Sequence, residues 1–309
     1  MRSLVGYTGF VGSNLMESGS FDFAYNSVNI AEAFGTRPDI LYFSGLRAEK
    51  YLANTNPDAD FELVKQAMKN IESIAPKSVI LISTIDVYGH PAGADEETVI
   101  ETGALHPYGL NRLRLEDFIR ERYPDHLILR LPALFGKHIK KNFIYDMLNF
   151  LPSALSEGKL QSLDMDMLKD FYMPQNNGFY KLREIDEGER IALKHYFKSA
   201  GFSALNFTDS RAQFQFFALS KLYELIEVAR GLGIRLLNAV TQPCKAKELY
   251  RYVYGGSFAN ELDAPYPEYD MRTVYANALG GANGYLLDKE SVMAEIKAFM
   301  AGAADIRNT

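Results

Sequence analysis

Gly6-Tyr7-Thr8-Gly9-Phe10-Val11-Gly12 follows a short apolar run, Ser3–Val5, and leads into a brief helical stretch, Ser13–Glu17. No other feature narrows the fold as far. Glycines at this spacing permit a tight turn, let a pyrophosphate approach the backbone, and allow the helix to pack close on the strand. The helix start then presents free N–H groups to phosphate. The motif carries weight because of its position. Further apolar runs at Phe21–Tyr25, Ile40–Phe43, Ser78–Ser83 and Leu127–Leu131 alternate with helical patterns, as in a parallel sheet built from βαβ units. The expected fold is α/β: a Rossmann-type doubly wound parallel sheet with a smaller, mixed C-terminal substrate domain.

One helix is clear between the third and fourth runs, where Phe61, Val64, Met68, Ile71 and Ala75 share a face. Asp58 and Asp60 precede it as caps or dipole partners. Another spans about 108–123, with Leu115, Phe118 and Ile119 apolar, and stops before Pro124. The strand rhythm is lost from about 142 to 209. A long helix is expected over Gln213–Arg230. The apolar run Ile234–Leu237 then returns the chain to the sheet, and a last helix lies near Lys289–Met300. The expected domains are therefore discontinuous, with 1–140 and 210–243 forming the nucleotide domain and 141–209 and 244–309 the substrate domain.

A net charge of −6 without a basic stripe argues against nucleic acid as a partner. The single cysteine, Cys244, excludes an internal disulfide and a thiolate zinc cluster. The histidines lack metal-ligand spacing, so no metal site is expected. No apolar stretch is long enough to span a membrane. With the glycine turn this close to the first residue, no leader is expected. A cytoplasmic location is expected.

The glycine motif, then Ser83-Thr84-Ile85-Asp86-Val87-Tyr88-Gly89, then Tyr108-Gly109-Leu110-Asn111-Arg112 with Glu116, resembles the extended short-chain dehydrogenase/reductases. These are the NAD-dependent epimerase/dehydratase family acting on nucleotide-sugars. The likeness runs from residue 1 to about 136 and returns near 213–243. It implies an NAD(P)-dependent epimerase or reductase transferring hydride at a sugar carbon, with Thr84 and Tyr108 flanking the substrate carbinol. It also implies a homodimer through the helices near Phe61–Ile74 and Tyr108–Tyr123, with Met68 and Leu113 as contact candidates. The alternative is a catalytically altered NAD(P)-binding sensor or scaffold on the same fold.

The chemistry of the three catalytic candidates, Thr84, Tyr108 and Arg112, can be followed from the residues. A phenol, with an ordinary pKa of about 10, needs a nearby cation to act at neutral pH. Arg112, one helical turn after Tyr108, stands on the same face. The family carries lysine there; arginine keeps the charge but does not release a proton. After Thr84, 4,6-dehydratases of the family carry Asp-Glu, whereas this chain has Ile85-Asp86. Dehydration needs an acid and a base, so it is the less expected reaction. The cofactor set is Gly6, Thr8, Gly9, Phe10, Val11, Gly12, Asn26, Ser44, Gly45, Leu46, Tyr108, Arg112 and Pro132. The second strand ends at Tyr25-Asn26-Ser27 without an acid to repel a ribose phosphate, a slight lean to NADP over NAD. The nucleotide-sugar is expected to meet Asp86 and the cationic segment Lys137, His138, Lys140, Lys141 and Asn142. Arg47 and Lys50 are weaker anion-binding candidates.

Overall fold

The computed structural model describes residues 1–175 and 177–308, without the side chains of 304–308. The chain forms two compact units. The first comprises 1–139, 213–244 and 267–296; the second comprises 140–212, 245–266 and 297–309. The expected division placed all of 244–309 in the second unit, whereas residues 267–296 belong with the first.

The first unit is built on six parallel strands: β1 (Arg2–Val5), β2 (Phe23–Tyr25), β3 (Ile40–Phe43), β4 (Ser78–Thr84), β5 (His126–Leu131) and β6 (Leu236–Asn238). Their order across the sheet is β2-β1-β3-β4-β5-β6. The order reverses between β1 and β3, and in open α/β sheets ligands bind outside the strand ends at such a switch point. Helices α1 (Phe10–Ser18), α2 (Lys50–Thr55), α3 (Pro57–Ile74), α4 (Pro107–Arg122) and α5 (Leu222–Gly231) accompany the strands. Leu15, Leu222, Ile226 and Ala229 pack on one side, with Leu4, Ile80 and Leu129. On the other, Val64, Ile71, Ile74, Leu115 and Ile119 pack with Leu41, Val79 and Ile128. Fully burying an aliphatic side chain of this kind stabilises by about 1.5–3 kcal/mol, so these two layers hold the sheet that aims the site.

Several local expectations change. Asn56 caps α3, accepting from the Ala59 N–H at 3.2 Å, while Asp58 and Asp60 lie in its first turn, where an acid suits the helix dipole. Asp60 turns inward and is buried. Of the two dimer-contact candidates, Leu113 is buried within the chain, while Met68 is partly buried against the core. Residues 213–230 are not one helix: Gln213–Phe214 and Phe216–Ala218 are strands, and α5 starts only at Leu222. Gln215 between the strands is buried, its amide donating to the Thr241 and Met271 carbonyls at 2.7 and 2.9 Å. That ties the backbone down in extended form.

The second unit contains a three-stranded antiparallel sheet of Ala154–Ser156, Tyr172–Pro174 and Phe179–Leu182, with Phe179–Leu182 central. Its core gathers Leu155, Leu160, Leu168, Tyr172, Leu193 and Phe197. Among the described residues, no helix is long and apolar enough to cross a membrane.

Candidate active site

The glycine turn joins the ends of β1 and α1. Gly6 has φ of 93° and donates its N–H to the Tyr25 carbonyl at 2.7 Å. A Cβ on Gly6 would stand 2.6 Å from the Ser44 carbonyl oxygen, and one on Gly12 only 2.1 Å from the Gly6 oxygen. Both glycines are therefore required by the approach of the turn to itself and to the loop after β3. Gly9 is less crowded, with its nearest atom at 3.2 Å. It is the N-cap of α1 and supplies no side-chain cap, so no capping side chain takes up the first-turn N–H groups. Thr8, Phe10 and Val11 belong to this turn. Ser44 Oγ donates to the Val5 carbonyl at 2.9 Å; Gly45 lies against Val5, and Leu46 packs on the core. The donor set and the uncapped helix fit a dinucleotide pyrophosphate. Asn26 accepts from the Val28 N–H at 2.9 Å through its side-chain oxygen, which leaves its amide hydrogens as donors. Pro132, buried, follows β5 along the same strand-end edge of the sheet.

Two strands further along that edge, Thr84 closes β4 and its hydroxyl accepts from the Asp86 N–H at 3.2 Å. Gly109 brings α4 against this turn: a Cβ there would lie 2.0 Å from the Asp86 carbonyl oxygen. Tyr108 is thus fixed beside residues 84–86. Its backbone N–H donates to Asn54 at 3.0 Å, and its side chain is buried. Burial pushes the phenol above its ordinary pKa; Arg112 draws it down, Asp86 raises it, Lys50 lowers it and Asp60 raises it.

Arg112 meets a partner that sequence did not reveal. Its guanidinium lies 4.1 Å from the Tyr108 ring centroid. One Nη donates to buried Asp60 and the other to the Arg47 carbonyl at 2.5 Å. Asn111 also donates to Asp60, at 2.9 Å. Lys50 reaches the site from α2, donating to Asp86 at 2.7 Å and to the Tyr269 hydroxyl at 3.2 Å. Tyr269 in turn donates to Asp86 at 3.0 Å. Tyr269 carried no sequence signal, because nothing in the tail marks it as a partner of a residue 183 positions earlier.

The motif residues Ser83 and Glu116 have a structural role. Fully buried Glu116 accepts from Ser83 at 2.5 Å and from Arg130 Nη2 at 2.6 Å, and Arg130 donates to the Tyr88 hydroxyl at 2.7 Å. The cationic segment is divided between the two units. Lys137 pairs with Glu17 at 2.7 Å, with His138 at 3.8 Å from the same carboxylate. Asn142 caps the following helix by accepting from Ile144 and Tyr145 N–H groups. Lys140 and Lys141 are exposed.

No protein-family model and no curated protein matches the chain. Solved structures do. A dTDP-4-dehydrorhamnose reductase from Bacillus anthracis, in complex with NADP, matches with a TM-score of 0.62 at 15% identity, covering 97% of each chain. A GDP-D-glycero-L-gluco-heptose synthase from Campylobacter jejuni, in the presence of NADPH, matches at 0.59 and 13% identity, again covering 97% of each. A UDP-glucuronic acid 4-epimerase variant from Bacillus cereus, with a UDP-sugar and NAD, matches at 0.57 and 14%, covering 99% of this chain and 100% of the other. The chain is a Rossmann-type doubly wound α/β protein. Its fold is the one these nucleotide-sugar reductases and epimerases share, over almost the whole of its length.

Proposed function

We propose that the chain is an NAD(P)-dependent reductase or epimerase of a nucleotide-linked sugar. The observation that carries the reading is one strand-end edge that holds a glycine phosphate turn at β1 and β3 and a threonine–tyrosine pair at β4. The dinucleotide, when bound, supplies or accepts the hydride. The residues do the rest. Gly6–Gly12 and the start of α1 hold the pyrophosphate, with Ser44, Gly45 and Leu46 beside it. Thr84 holds the oxygen of the reacting carbon by its hydroxyl, and Tyr108 exchanges that oxygen's proton. Arg112 clamps the Tyr108 ring between α4 and α3. Asp86 and the Lys137–Asn142 segment are assigned to the sugar and its diphosphate. The likeness to structures solved with NADP, NADPH and NAD supports a nicotinamide dinucleotide, and the Asn26-Ser27 end of β2 favours NADP.

The same reading takes the protein as a cytoplasmic homodimer without a nucleic-acid partner. With Leu113 buried, the dimer surface is assigned to partly buried Met68 and exposed Leu63 and Gln66 of α3 and Arg114 of α4. A Leu63→Asp variant should turn a dimer seen by light scattering into a monomer; a monomeric parent would remove this part of the reading.

The deciding experiment measures NADPH binding by fluorescence and NADPH oxidation with a panel of nucleotide-linked 4-ketosugars. Binding with turnover is expected. The same binding test with NAD and an epimerisation assay on nucleotide-sugars completes it: binding with neither reduction nor epimerisation would favour a cofactor-binding sensor, and absence of binding by both NADPH and NAD would remove the whole reading.

A further inference from the structure

We propose that Lys50 returns the proton to Tyr108 after each turnover, a step that arginine at position 112 cannot perform; this rests on the reading that Tyr108 protonates a substrate oxygen. Gly109 fixes Tyr108 against the turn that carries Asp86, through the 2.0 Å approach a Cβ would make to the Asp86 carbonyl. Lys50 binds Asp86 at 2.7 Å and Tyr269 at 3.2 Å, so its ammonium is held in the same cluster from a different helix. The two cations differ in what they can do. Arg112 is buried, with Asp60 and the Arg47 carbonyl on its two Nη atoms, and a guanidinium does not release a proton in a protein. The Lys50 side chain is 43% exposed; desolvation lowers its pKa but Asp86 and Tyr269 outweigh this and raise it, so its ammonium gives up a proton only to a strong base such as a buried phenolate, and recovers it from water.

The charges facing Tyr108 form two pairs. Arg112 of α4 stands with Asp60 of α3, and Lys50 of α2 stands with Asp86 of the turn after β4; Tyr269, from 267–296, faces Lys50 and Asp86. Because each cation has its own carboxylate, neither pair leaves a strong net field on the phenol. Burial then dominates and raises the Tyr108 pKa. A buried phenolate is consequently a ready proton acceptor, and the remaining need is a donor with access to solvent. In the reducing direction, a C–H bond forms at the carbonyl carbon with the hydride pair of the reduced nicotinamide, and the C=O π pair moves to oxygen. That oxygen takes the Tyr108 proton. The phenolate then takes a proton from Lys50 Nζ, through Asp86 or a water, and the Lys50 amine is reprotonated by solvent.

The test uses the full chain with NADPH and a dTDP-linked 4-keto-6-deoxyhexose. Lys50→Arg keeps the charge and removes the exchangeable proton source, whereas Lys50→Met removes both. Turnover near pH 7 should fall in each by about a hundredfold or more, the range of a lost acid–base group, with NADPH affinity unchanged. Methylamine should restore part of the turnover of Lys50→Ala. Carbon-13 NMR of labelled tyrosines, with Tyr108 assigned by its Phe variant, should show Tyr108 titrating as in the parent in Lys50→Arg and higher in Lys50→Met. Parental turnover in Lys50→Arg, or no amine rescue of Lys50→Ala, would overturn the proposal while leaving the reductase reading intact. A parent that binds NADPH but reduces no ketosugar would sink that reading, and this inference with it.

Discussion

Arg112 and Asp60 are both buried, and each is the other's charge partner. Breaking such a pair by removing one member typically costs about 3–5 kcal/mol, because the remaining charge stays buried. Arg112→Met should therefore unfold at lower denaturant by roughly that amount, less whatever Asn111 recovers by its own hydrogen bond to Asp60. Arg112→Lys, which keeps charge without the fork, should lose less. Equilibrium unfolding in urea separates the two; an Arg112→Met protein as stable as the parent would show that the pair contributes nothing. Tyr108→Phe, by contrast, keeps the ring under the guanidinium and should abolish turnover with NADPH affinity within about twofold, since a general acid is lost and packing is not. The spacing of Tyr108 and Arg112 was legible in the sequence, as one turn of a helix. Their partners were not. Asp60 sits 52 residues before Arg112 and reads locally as a helix-start acid, and Lys50 reads as a weak anion-binding candidate until the fold sets it on Asp86.

The six sheet strands and α1, α3 and α4 could be read from the sequence to within a few residues, because each is a continuous buried run or a helical stretch next to its own turn signal, whereas α2 was not read and the start of α5 was placed nine residues too early. α4 was harder. Its inward face carries Asn111, Arg112 and Glu116 among the apolar residues, so polarity there marks buried pairing and not solvent. The aromatic stretch from 213 failed because its Phe residues, which favour strands, were taken into the helix that follows; pairing with Ala133–Phe135 and the long-range bonds of Gln215 hold it extended. In the second unit, strands of three or four residues pair across 23–27 positions in one case and 6–10 in the other, and period-two alternation has no length over which to show. Glycines separate the elements' two functions. Gly12→Ala would bring a methyl 2.1 Å from the Gly6 oxygen and so distort the phosphate turn; Gly109→Ala would push α4 away from Asp86. The first should lose NADPH binding by at least about tenfold, the second should retain binding and lose turnover. Fluorescence titration and steady-state rates on both variants check this, and loss of cofactor affinity in Gly109→Ala would show that the two regions are not separable.

Across the whole molecule, the site residues argued for catalysis all lie in the first unit, while a strong titration feature lies in the second. Asp146, in the first turn of the helix Phe143–Leu148, has its carboxyl pushed up to about 7 by burial. An unfolded aspartate ionises near 3.9. Below that value the folded and unfolded chains are both protonated and the burial is tolerated. Between about 4 and 7 the unfolded chain releases the proton and the folded one keeps it, so stability falls as pH rises. Above about 7 the folded protein carries a buried carboxylate and the whole loss is present. A shift of about three units corresponds to on the order of 4 kcal/mol at 1.36 kcal/mol per unit. Asp146→Asn preserves the side-chain shape and removes the titration. The variant should melt at the same temperature as the parent near pH 4 and several degrees above it at pH 8, with its midpoint flatter between those values. Calorimetric scans of both proteins at pH 4, 6 and 8 test this directly. Parallel pH dependences would mean that Asp146 is ionised in the folded state as freely as in the unfolded one.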